Sequence, residues 1–433
     1  MRLSRILLLL AALVLGLPLF AVGGALLLVR LGAFDTTLER VLSRTLAMPV
    51  ALDGWRVSLW DRPHIVLEGL TIGVPGAPLI EDADAAVTLP WRALTGEFSH
   101  QHAVVIDSGR LNLRVDAAGR DNWTALVERV LDVLGEGPAA FRVDVLEMKD
   151  LRLRYEDAPR RLRLDVAGFA LAATGLVPRE PFPVELRLAA TLDRWSGHGR
   201  LAGKARLDPD HGRYAIDVDR FTIWGGGASL PVAGIEATGR IEDLTYDSQA
   251  DRVAIRRAQG TFAGVAFEVQ GTIARATTDP AAELRLTSAP FAPGPLAETL
   301  GFELPATTDP KALARMQVAA TLVASSAELT ARDLVVQLDD THATGSVTLP
   351  LTDGAVPRIV LHADRIDLDR YLPPHHDGRP AAAGSEATLE ASLAELRQLD
   401  VDADLTIDSA QAAGARMRGL RLRIESNVRR AAP

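Results

Sequence analysis

The chain has 433 residues, of which 48% are hydrophobic and 24% are charged, and its formal net charge is −9. This composition argues against a disordered chain, and the negative balance argues against a broad nucleic-acid-binding surface, because phosphate binding requires clustered lysine and arginine. The sequence has no cysteine, which excludes disulfides, thiolate nucleophiles and cysteine-ligated zinc. The length allows two or three domains.

Residues 1–30 predict a transmembrane anchor. The stretch 6–29 has no charged side chain, and as a helix it would be about 36 Å long, against roughly 30 Å for the hydrocarbon core of a bilayer. Its apolar residues include Ile6, Leu10, Leu15, Phe20, Leu27 and Val29. A cleaved signal peptide would have a shorter apolar region. Because Arg2 and Arg5 precede the stretch, the N-terminus is expected in the cytoplasm and the rest of the chain on the far side of the membrane.

Two helices are predicted within the next region, residues 31–175. Thr36 and Glu39 form a capping box before apolar residues at helical spacing, which predicts a helix over about 36–47. The second helix is predicted over about 124–135.

The segment before this second helix has the features of a helix cap. Asp121 or Asn122 is expected to cap the helix, and Trp123 is expected to pack where it begins. We interpret the turn at 116–123 as a hinge that lays the helix over the mouth or the end of a sheet, not as an active-site loop.

Alternation of apolar and polar residues dominates the chain from Val50 onward and predicts half-buried strands, roughly twenty in all. Long helical segments, which parallel strands would need as crossovers, are almost absent, so the sheet is expected to be mostly antiparallel. Strands are predicted at 70–74, 111–115, 151–155 and 162–166, and further along the chain at 184–192, 213–223, 235–244, 253–262, 265–273, 327–338, 343–349, 357–366 and 401–407. Short helices are predicted at 295–300 and 309–315.

These patterns divide the rest of the chain into three regions. Residues 176–371 are predicted to form a central β-sheet region. The segment 372–386 is rich in proline and alanine and is interpreted as a loop or linker. Residues 387–433 are predicted to form a partial C-terminal β region.

A long sheet with one apolar face must bury that face in a sandwich, close it in a barrel, or use it as an open trough. Alternation fits all of these arrangements. In a trough the apolar face would contact hydrocarbon chains, and the candidate lining positions are Leu111, Leu113, Val143, Val145, Leu151, Leu153, Leu162, Leu164, Leu186 and Leu188.

The sequence contains no motif that predicts catalysis. Nucleophile-elbow, zinc-protease and phosphate-loop patterns are absent. His100 and His102 offer two potential metal ligands and the run 375–377 offers three, but no further ligand lies at a persuasive spacing. We therefore expect no enzyme activity, no cofactor and no metal site.

Several segments, in this order, resemble the AsmA family of bacterial envelope proteins. They are "WDRPHIVLEGLTIGVPGAP" (60–78), "DAAGRDNW" (116–123), "TDPKALARMQVAATL" (308–322), "LTARDLVVQLDDTHATGSVTL" (329–349) and "RIDLDRYLP" (365–373). In the second segment, Asp116, Gly119, Asn122 and Trp123 match the Asp-x-x-Gly-x-x-Asn-Trp turn of the family.

The resemblance implies an inner-membrane protein whose periplasmic body is a long, curved, mostly antiparallel sheet, similar to the trough of bridge-like lipid transfer proteins. It implies roles in phospholipid transport and outer-membrane assembly, with the inner membrane, lipid acyl chains and other envelope-biogenesis proteins as partners, and no nucleic acid. Family members continue into further strands beyond residues 412–427, so the last region is expected to be partial. The alternative is a structural or assembly-modulating envelope protein with a dry β core.

Overall fold

The computed structural model describes residues 37–58, 60–92, 100–126, 142–159, 162–192, 195–227, 234–276, 279–302, 304, 307–352, 355–371, 401–412 and 415–426. The predicted anchor at 1–30 and the predicted linker at 372–386 lie outside these residues. No helix among the described residues is long and apolar enough to cross a membrane. The described chain is mainly β, which confirms the fold class that alternation predicts.

The helices whose two ends are described are α1 (Thr37–Leu46), α2 (Pro293–Thr299) and α3 (Leu368–Tyr371). The first strands are β1 (Val50–Ala51), β2 (Gly54–Ser58), β3 (His64–Val74), β4 (Ala77–Thr88), β5 (His100–Ile106), β6 (Arg110–Val115) and β7 (Arg142–Asp157). They are followed by β8 (Leu162–Leu176), β9 (Phe182–Leu192), β10 (Trp195–Asp208), β11 (Arg213–Gly227), β12 (Ile235–Asp247), β13 (Arg252–Phe262) and β14 (Val265–Ala274). The last strands are β15 (Ala281–Ser288), β16 (Met316–Ala324), β17 (Glu328–Leu338), β18 (Thr341–Pro350), β19 (Arg358–Asp367), β20 (Asp402–Ala412) and β21 (Ala415–Ile424).

The chain divides into two compact units. The first unit comprises residues 1–229 and 236–253, and the second unit comprises residues 230–235 and 254–433.

The sheet of the first unit is mixed, because β5 and β6 both run parallel to β7. Strand β4 pairs with β5 near one end and with β6 near the other, so β5 and β6 lie one after the other along the same line. The neighbouring pairs β3–β4, β7–β8, β8–β9, β9–β10 and β10–β11 are antiparallel, as predicted. The parallel step requires a long crossover, and residues 116–141 supply it.

The core of the first unit is apolar and contains one face of α1. Leu38, Leu42 and Leu46 recur at every fourth residue and are at most 1% exposed, because this spacing places them on one side of the helix. They belong to a single apolar cluster that extends through β3 to β8 and ends at Phe182 in β9.

The second unit contains an antiparallel series from β14 to β19, followed by β20, which is parallel to β19, and β21, which is antiparallel to β20. The helix predicted at 295–300 is present as α2. The helix predicted at 309–315 is wrong, because this segment forms turns. Leu313 has a φ of 56°, a left-handed conformation that no α-helix accepts, and the backbone N–H groups of residues 313–315 donate to the Asp339 carboxylate instead of to helical carbonyls.

Candidate functional site

The turn after β6 is held by the Asp116 carboxylate. Its Oδ1 accepts hydrogen bonds of 2.9 Å from the backbone N–H groups of Ala118 and Arg120. The backbone N–H of Arg120, helped by the Arg120 guanidinium, holds the pKa of Asp116 below its ordinary value. Gly119 has a φ of 76°, where a side chain would be strained, and its N–H donates to the carbonyl of Asp116.

Asn122 continues the hydrogen bonding of β6 beyond the turn. Its side-chain amide donates to the carbonyl of Asn112 at 2.9 Å, and its Oδ1 accepts from the backbone N–H of Arg114 at 2.9 Å. The helix cap is Asp121, whose Oδ1 accepts from the backbone N–H of Thr124 at 2.7 Å. The sequence predicted that either residue could cap the helix. In the structure Asp121 caps the helix that begins at Thr124, and Asn122 fixes the turn to the strand.

Trp123 anchors the start of the crossover in the core. Its side chain is completely buried, and its ring lies 6.2 Å from the ring of Tyr155 in β7. The Tyr155 hydroxyl donates to the buried Asp157 carboxylate at 3.0 Å. The geometry favours the reading of this motif as a hinge, since each motif residue positions the backbone that leads from β6 to the parallel strand β7.

A polar cleft of about 850 Å³ borders the same turn. Its charged groups include Arg114, Arg163 and Glu156, and both arginines lie within ion-pair distance of Glu156, at 3.5 and 3.3 Å. The described lining has three arginines and four carboxylates, a difference of one negative charge, so the cleft has no strong surplus of one sign that would select a ligand.

Three of the candidate lining residues are buried by protein. Leu113 and Val143 are at most 1% exposed, and Leu111 is 8% exposed. Leu111, Leu151 and Leu153 meet around an apolar cavity of about 40 Å³. This volume is close to that of one or two water molecules and is far too small for an acyl chain.

A β-bulge in β7 separates the candidate residues of that strand into two sets. Val145 lies on the face opposite Leu146, since no register shift falls between them, whereas Val143 is buried in the same apolar cluster as Leu146. The extra residue before Leu151, where Asp150 has a φ of 47°, then returns Leu151 and Leu153 to the face of Leu146. Simple alternation could not reveal this separation, because one inserted residue exchanges the two faces.

The remaining candidates lie where the buried core ends. Leu162 and Leu164, like Leu151 and Leu153, pack against the core but are only partly buried. Leu186 and Leu188 in β9 are half-buried and lie outside the core cluster. Leu188 faces Gly199 in β10, which in turn faces Ile223, and the Ile223 side chain is 53% exposed.

The second unit has an apolar surface that the sequence did not single out. Its strand registers align apolar residues in rows that cross several strands, and one row passes through all eight strands from β14 to β21. This apolar row consists of Gly271, Leu284, Leu322, Ala331, Val347, Ile359, Ala403 and Ile424. At about 4.8 Å between neighbouring strands it is about 34 Å long.

Two shorter rows run beside the apolar row on the same face. One consists of Leu334, Gly345, Leu361, Leu405 and Leu422, and the other consists of Val336, Ala343, Ala363, Ile407 and Leu420. Together the three rows make a broad apolar face.

This face is not filled as the core of the first unit is filled. Among the described residues of the second unit, Ile424 is the one buried apolar side chain larger than alanine. Leu284, Leu322 and Val347 are all half-buried. The opposite face of β15 is polar, with Glu283, Arg285 and Thr287 exposed.

No protein-family model and no curated protein sequence matches this chain. Within the described ranges no group of three or more metal-ligating side chains occurs. His102, one of the two histidines in the short 100–102 motif, is hydrogen-bonded to Asp144 at 2.8 Å.

Proposed function

We propose that the chain is an AsmA-family protein of the bacterial inner membrane whose periplasmic β-sheet binds lipid acyl chains along an apolar groove. In this proposal residues 1–30 anchor the protein, with the N-terminus in the cytoplasm, and the protein takes part in phospholipid transport and outer-membrane assembly. No catalytic residue, cofactor or metal is needed.

The observation that carries the proposal is the half-buried apolar face of the second unit. Water in contact with leucine and valine side chains is unfavourable, by roughly 25 cal/mol for each Å² of apolar surface, so a wide face of this kind favours an apolar occupant. The apolar row, at about 34 Å, is longer than the roughly 15 Å depth of one leaflet of the hydrocarbon core. An acyl chain of ordinary length could therefore lie along it.

Movement along such a face would need little energy at each step. Each CH₂ group is about 0.8 kcal/mol more stable against apolar surface than in water, but moving from one apolar row to the next exchanges like surroundings. The lipid headgroup would remain in water at the open side of the sheet, so the protein would not have to desolvate a charge.

Within the second unit, the lining that we propose consists of the three rows; within the first unit, Leu186 and Leu188 are the proposed lining residues. The lining leaves out Leu111, Leu113 and Val143, because protein atoms already cover their side chains. We also propose that the long sheet curves into a trough.

A second function is favoured by a different observation. The core of the first unit is filled with buried apolar side chains from Leu38 to Phe182, as expected for a structural or assembly-modulating envelope protein without lipid cargo. The two proposals differ in what they require of the second unit.

The deciding experiment is lipid analysis of the full-length chain purified from bacterial membranes in a mild detergent. After removal of loosely bound lipid by size-exclusion chromatography, native mass spectrometry should detect bound phospholipid. A photoactivatable phospholipid with its reactive group in the acyl chain should crosslink to peptides from β14 to β19. Lipid-free protein and crosslinks confined to residues 1–30 would contradict lipid binding and favour the structural role.

A further inference from the structure

Trp60 and Trp91 form an exposed aromatic pair at one end of the sheet in the first unit. Trp60 is 92% exposed, the highest value among the large apolar residues that the structure describes, and Trp91 is 51% exposed. Their loops are joined, because the Trp91 indole N–H donates to the carbonyl of Asp61 at 3.1 Å. We call Trp60 and Trp91 the tryptophan pair.

The turn that carries Trp60 has a rare backbone conformation. Asp61 has a φ of 70°, and the backbone N–H of Arg62 donates to the carbonyl of Trp60 at 3.0 Å. A hydrogen bond to the second residue before, around a central residue with positive φ, is the pattern of a classic γ-turn, which is rare and strained. Because such strain is concentrated at functional positions, this turn is a candidate for a function, and its effect is to hold Trp60 in the solvent.

The loop that carries Trp91 is fixed to the same end of the sheet. His64 at the start of β3 lies opposite Thr88 at the end of β4. The next residue, Leu89, is completely buried, and its N–H donates to the carbonyl of Pro63 at 2.8 Å. Since the indole N–H of Trp91 already has an acceptor within the protein, the Trp91 ring can leave water without losing a hydrogen bond.

Helix α1 begins toward the end of the sheet that carries the tryptophan pair. The Ser43 hydroxyl accepts a hydrogen bond from the N–H of Val50, and the Glu39 carboxylate accepts one from the N–H of Leu52, both at 2.9 Å. The helix therefore runs antiparallel to the chain that enters β2. Its first turn points in the direction in which β2 leads to the tryptophan pair.

The start of α1 must lie near the membrane if residues 1–30 are the anchor that we propose. Thr37 is the seventh residue after residue 30, and seven residues span at most about 25 Å when fully extended. The end of the first unit toward which α1 begins is then the end that faces the bilayer. The tryptophan pair is exposed at this end.

We propose that the tryptophan pair lies in the headgroup region of the inner membrane, as a second membrane contact of the first unit beside the anchor; this inference rests on the proposed anchorage. Tryptophan is enriched at membrane interfaces, because one part of its ring system is apolar and its N–H suits a polar environment. The contact would hold the ends of β2, β3 and β4 against the bilayer.

Charge makes a smaller contribution than the aromatic rings. Residues 60–63 and 89–92 carry Arg62, Arg92 and Asp61, and all three side chains are exposed. Their sum is a single positive charge. The two guanidinium groups would lie at the level of the lipid phosphates, to which arginine donates charge-assisted hydrogen bonds.

The test is fluorescence quenching of the full-length chain in nanodiscs of phosphatidylethanolamine and phosphatidylglycerol, with a nitroxide on the headgroup of a fraction of the lipid. Because the chain has no cysteine, one introduced cysteine carries the fluorophore. S58C places it at an exposed position at the end of β2 and leaves both tryptophans unchanged. V74C is the matched position, since Val74 is 62% exposed at the other end of the 11-residue strand β3, about 33 Å from His64.

The label at residue 58 should be quenched about fivefold more strongly than the label at residue 74, because only the first end of the sheet meets the headgroups. In the S58C background, W60A/W91A should reduce this quenching by about threefold, since alanine removes the aromatic rings from the interface. W195A/I223A, which truncates two exposed apolar side chains of β10 and β11, should leave it unchanged. Circular dichroism should show that both variants remain folded.

Three results would overturn the proposal while the chain still co-elutes with the nanodiscs. Equal quenching at residues 58 and 74 would show that the tryptophan pair does not reach the bilayer. Unchanged quenching in W60A/W91A would show that the anchor alone brings this end near the membrane. A change from dimer to monomer in W60A/W91A in detergent, with quenching unchanged, would assign the pair to a contact between two copies.

Failure of the anchor itself gives a different result. The chain would then not co-elute with the nanodiscs at all, and this outcome would contradict the proposed anchorage and with it the membrane contact of the tryptophan pair.

Discussion

Leu284 and Leu322 face each other directly across β15 and β16, and both side chains are half-buried. A directly opposed leucine pair usually lies at the centre of a packed core. Because Leu284 and Leu322 are only half-buried in the middle of a sheet, this face differs from the core of the first unit. The pair therefore provides a sensitive position at which to test lipid binding.

We expect L284D/L322D to lose bound lipid while the chain stays folded. Two carboxylates in the middle of the apolar row would repel hydrocarbon, but half-buried positions allow them to reach water. Lipid crosslinking to β14–β19 should fall by about tenfold or more, because desolvating even one charge costs more than the roughly 1.4 kcal/mol that a tenfold change represents.

The matched control for this variant is T287D/Q337D. Thr287 and Gln337 are exposed on the opposite face of β15 and β17, so the variant adds the same charge without touching the apolar row. Equal loss of crosslinking in both double variants would show that added charge acts at a distance, and it would contradict the proposed groove.

A second prediction compares two leucines that the sequence analysis placed in the same candidate lining. Leu113 is completely buried, whereas Leu188 is half-buried outside the core cluster. Leu113→Ala should lower the free energy of unfolding by about 2–5 kcal/mol, the usual range for a leucine that leaves a cavity. Leu188→Ala should lower it by about 1 kcal/mol or less, because less apolar surface is lost.

Chemical denaturation followed by circular dichroism measures both free energies. Lipid-free protein should be used, so that a change in lipid binding is not mistaken for a change in stability. Similar losses for the two variants would show that Leu188 is packed as firmly as Leu113, and Leu188 would then have to be removed from the proposed lining.

A third prediction concerns the helix cap at the start of the crossover. Asp121→Ala removes the acceptor of the 2.7 Å hydrogen bond from the N–H of Thr124 and should destabilise the chain by about 1 kcal/mol. Asp121→Asn keeps an oxygen at this position and should cost only a few tenths of that amount, about 0.3 kcal/mol. Thermal unfolding of the two variants side by side measures the difference, and equal midpoints would show that Asp121 does not act as a cap.

A fourth prediction concerns acid stability around Asp339. Burial alone would raise the pKa of this carboxyl, but the N–H groups of Arg315, Leu313 and Ala314 and the Tyr371 hydroxyl outweigh burial and lower the pKa below 3.8. A lowered folded-state pKa stabilises the fold above the unfolded-state pKa, and this contribution is lost as the pH falls through the folded-state value. We therefore expect the stability that Asp339 supplies to be complete at pH 6 and to decline below about pH 4.

Asp339→Asn should flatten this part of the pH profile, and denaturant unfolding between about pH 3 and pH 6 would show it. The Tyr371 hydroxyl, which donates to Asp339, provides a second test of the same hydrogen bond at high pH. Burial and the hydrogen bond to Asp339 raise the pKa of Tyr371 to about 12, so its contribution is present below its ordinary pKa of 10.0 and is lost as the pH rises toward about 12. An unchanged acid profile in the Asp339→Asn variant would contradict this account.

The local features of the fold could be predicted from the sequence to a large extent. Alternation identified strands such as 111–115 and 265–273 because side chains on a strand point to opposite faces in turn. The capping box predicted α1, which the structure describes from Thr37 to Leu46. The segment 309–315 could not be predicted, because its turns depend on Asp339, a residue that lies far along the chain.

The sequence by itself determined that the chain is mainly β, that a capped helix follows the turn at 116–123, and that each strand has one apolar face. These properties depend on neighbouring residues alone. Only the tertiary structure decided that β7 runs parallel to β5 and β6, that Leu113 is buried while Leu322 is half-exposed, and that eight strands align their apolar residues in one row. Burial and register depend on which distant strands pair and where bulges fall, and a single inserted residue such as Asp150 exchanges the two faces of a strand.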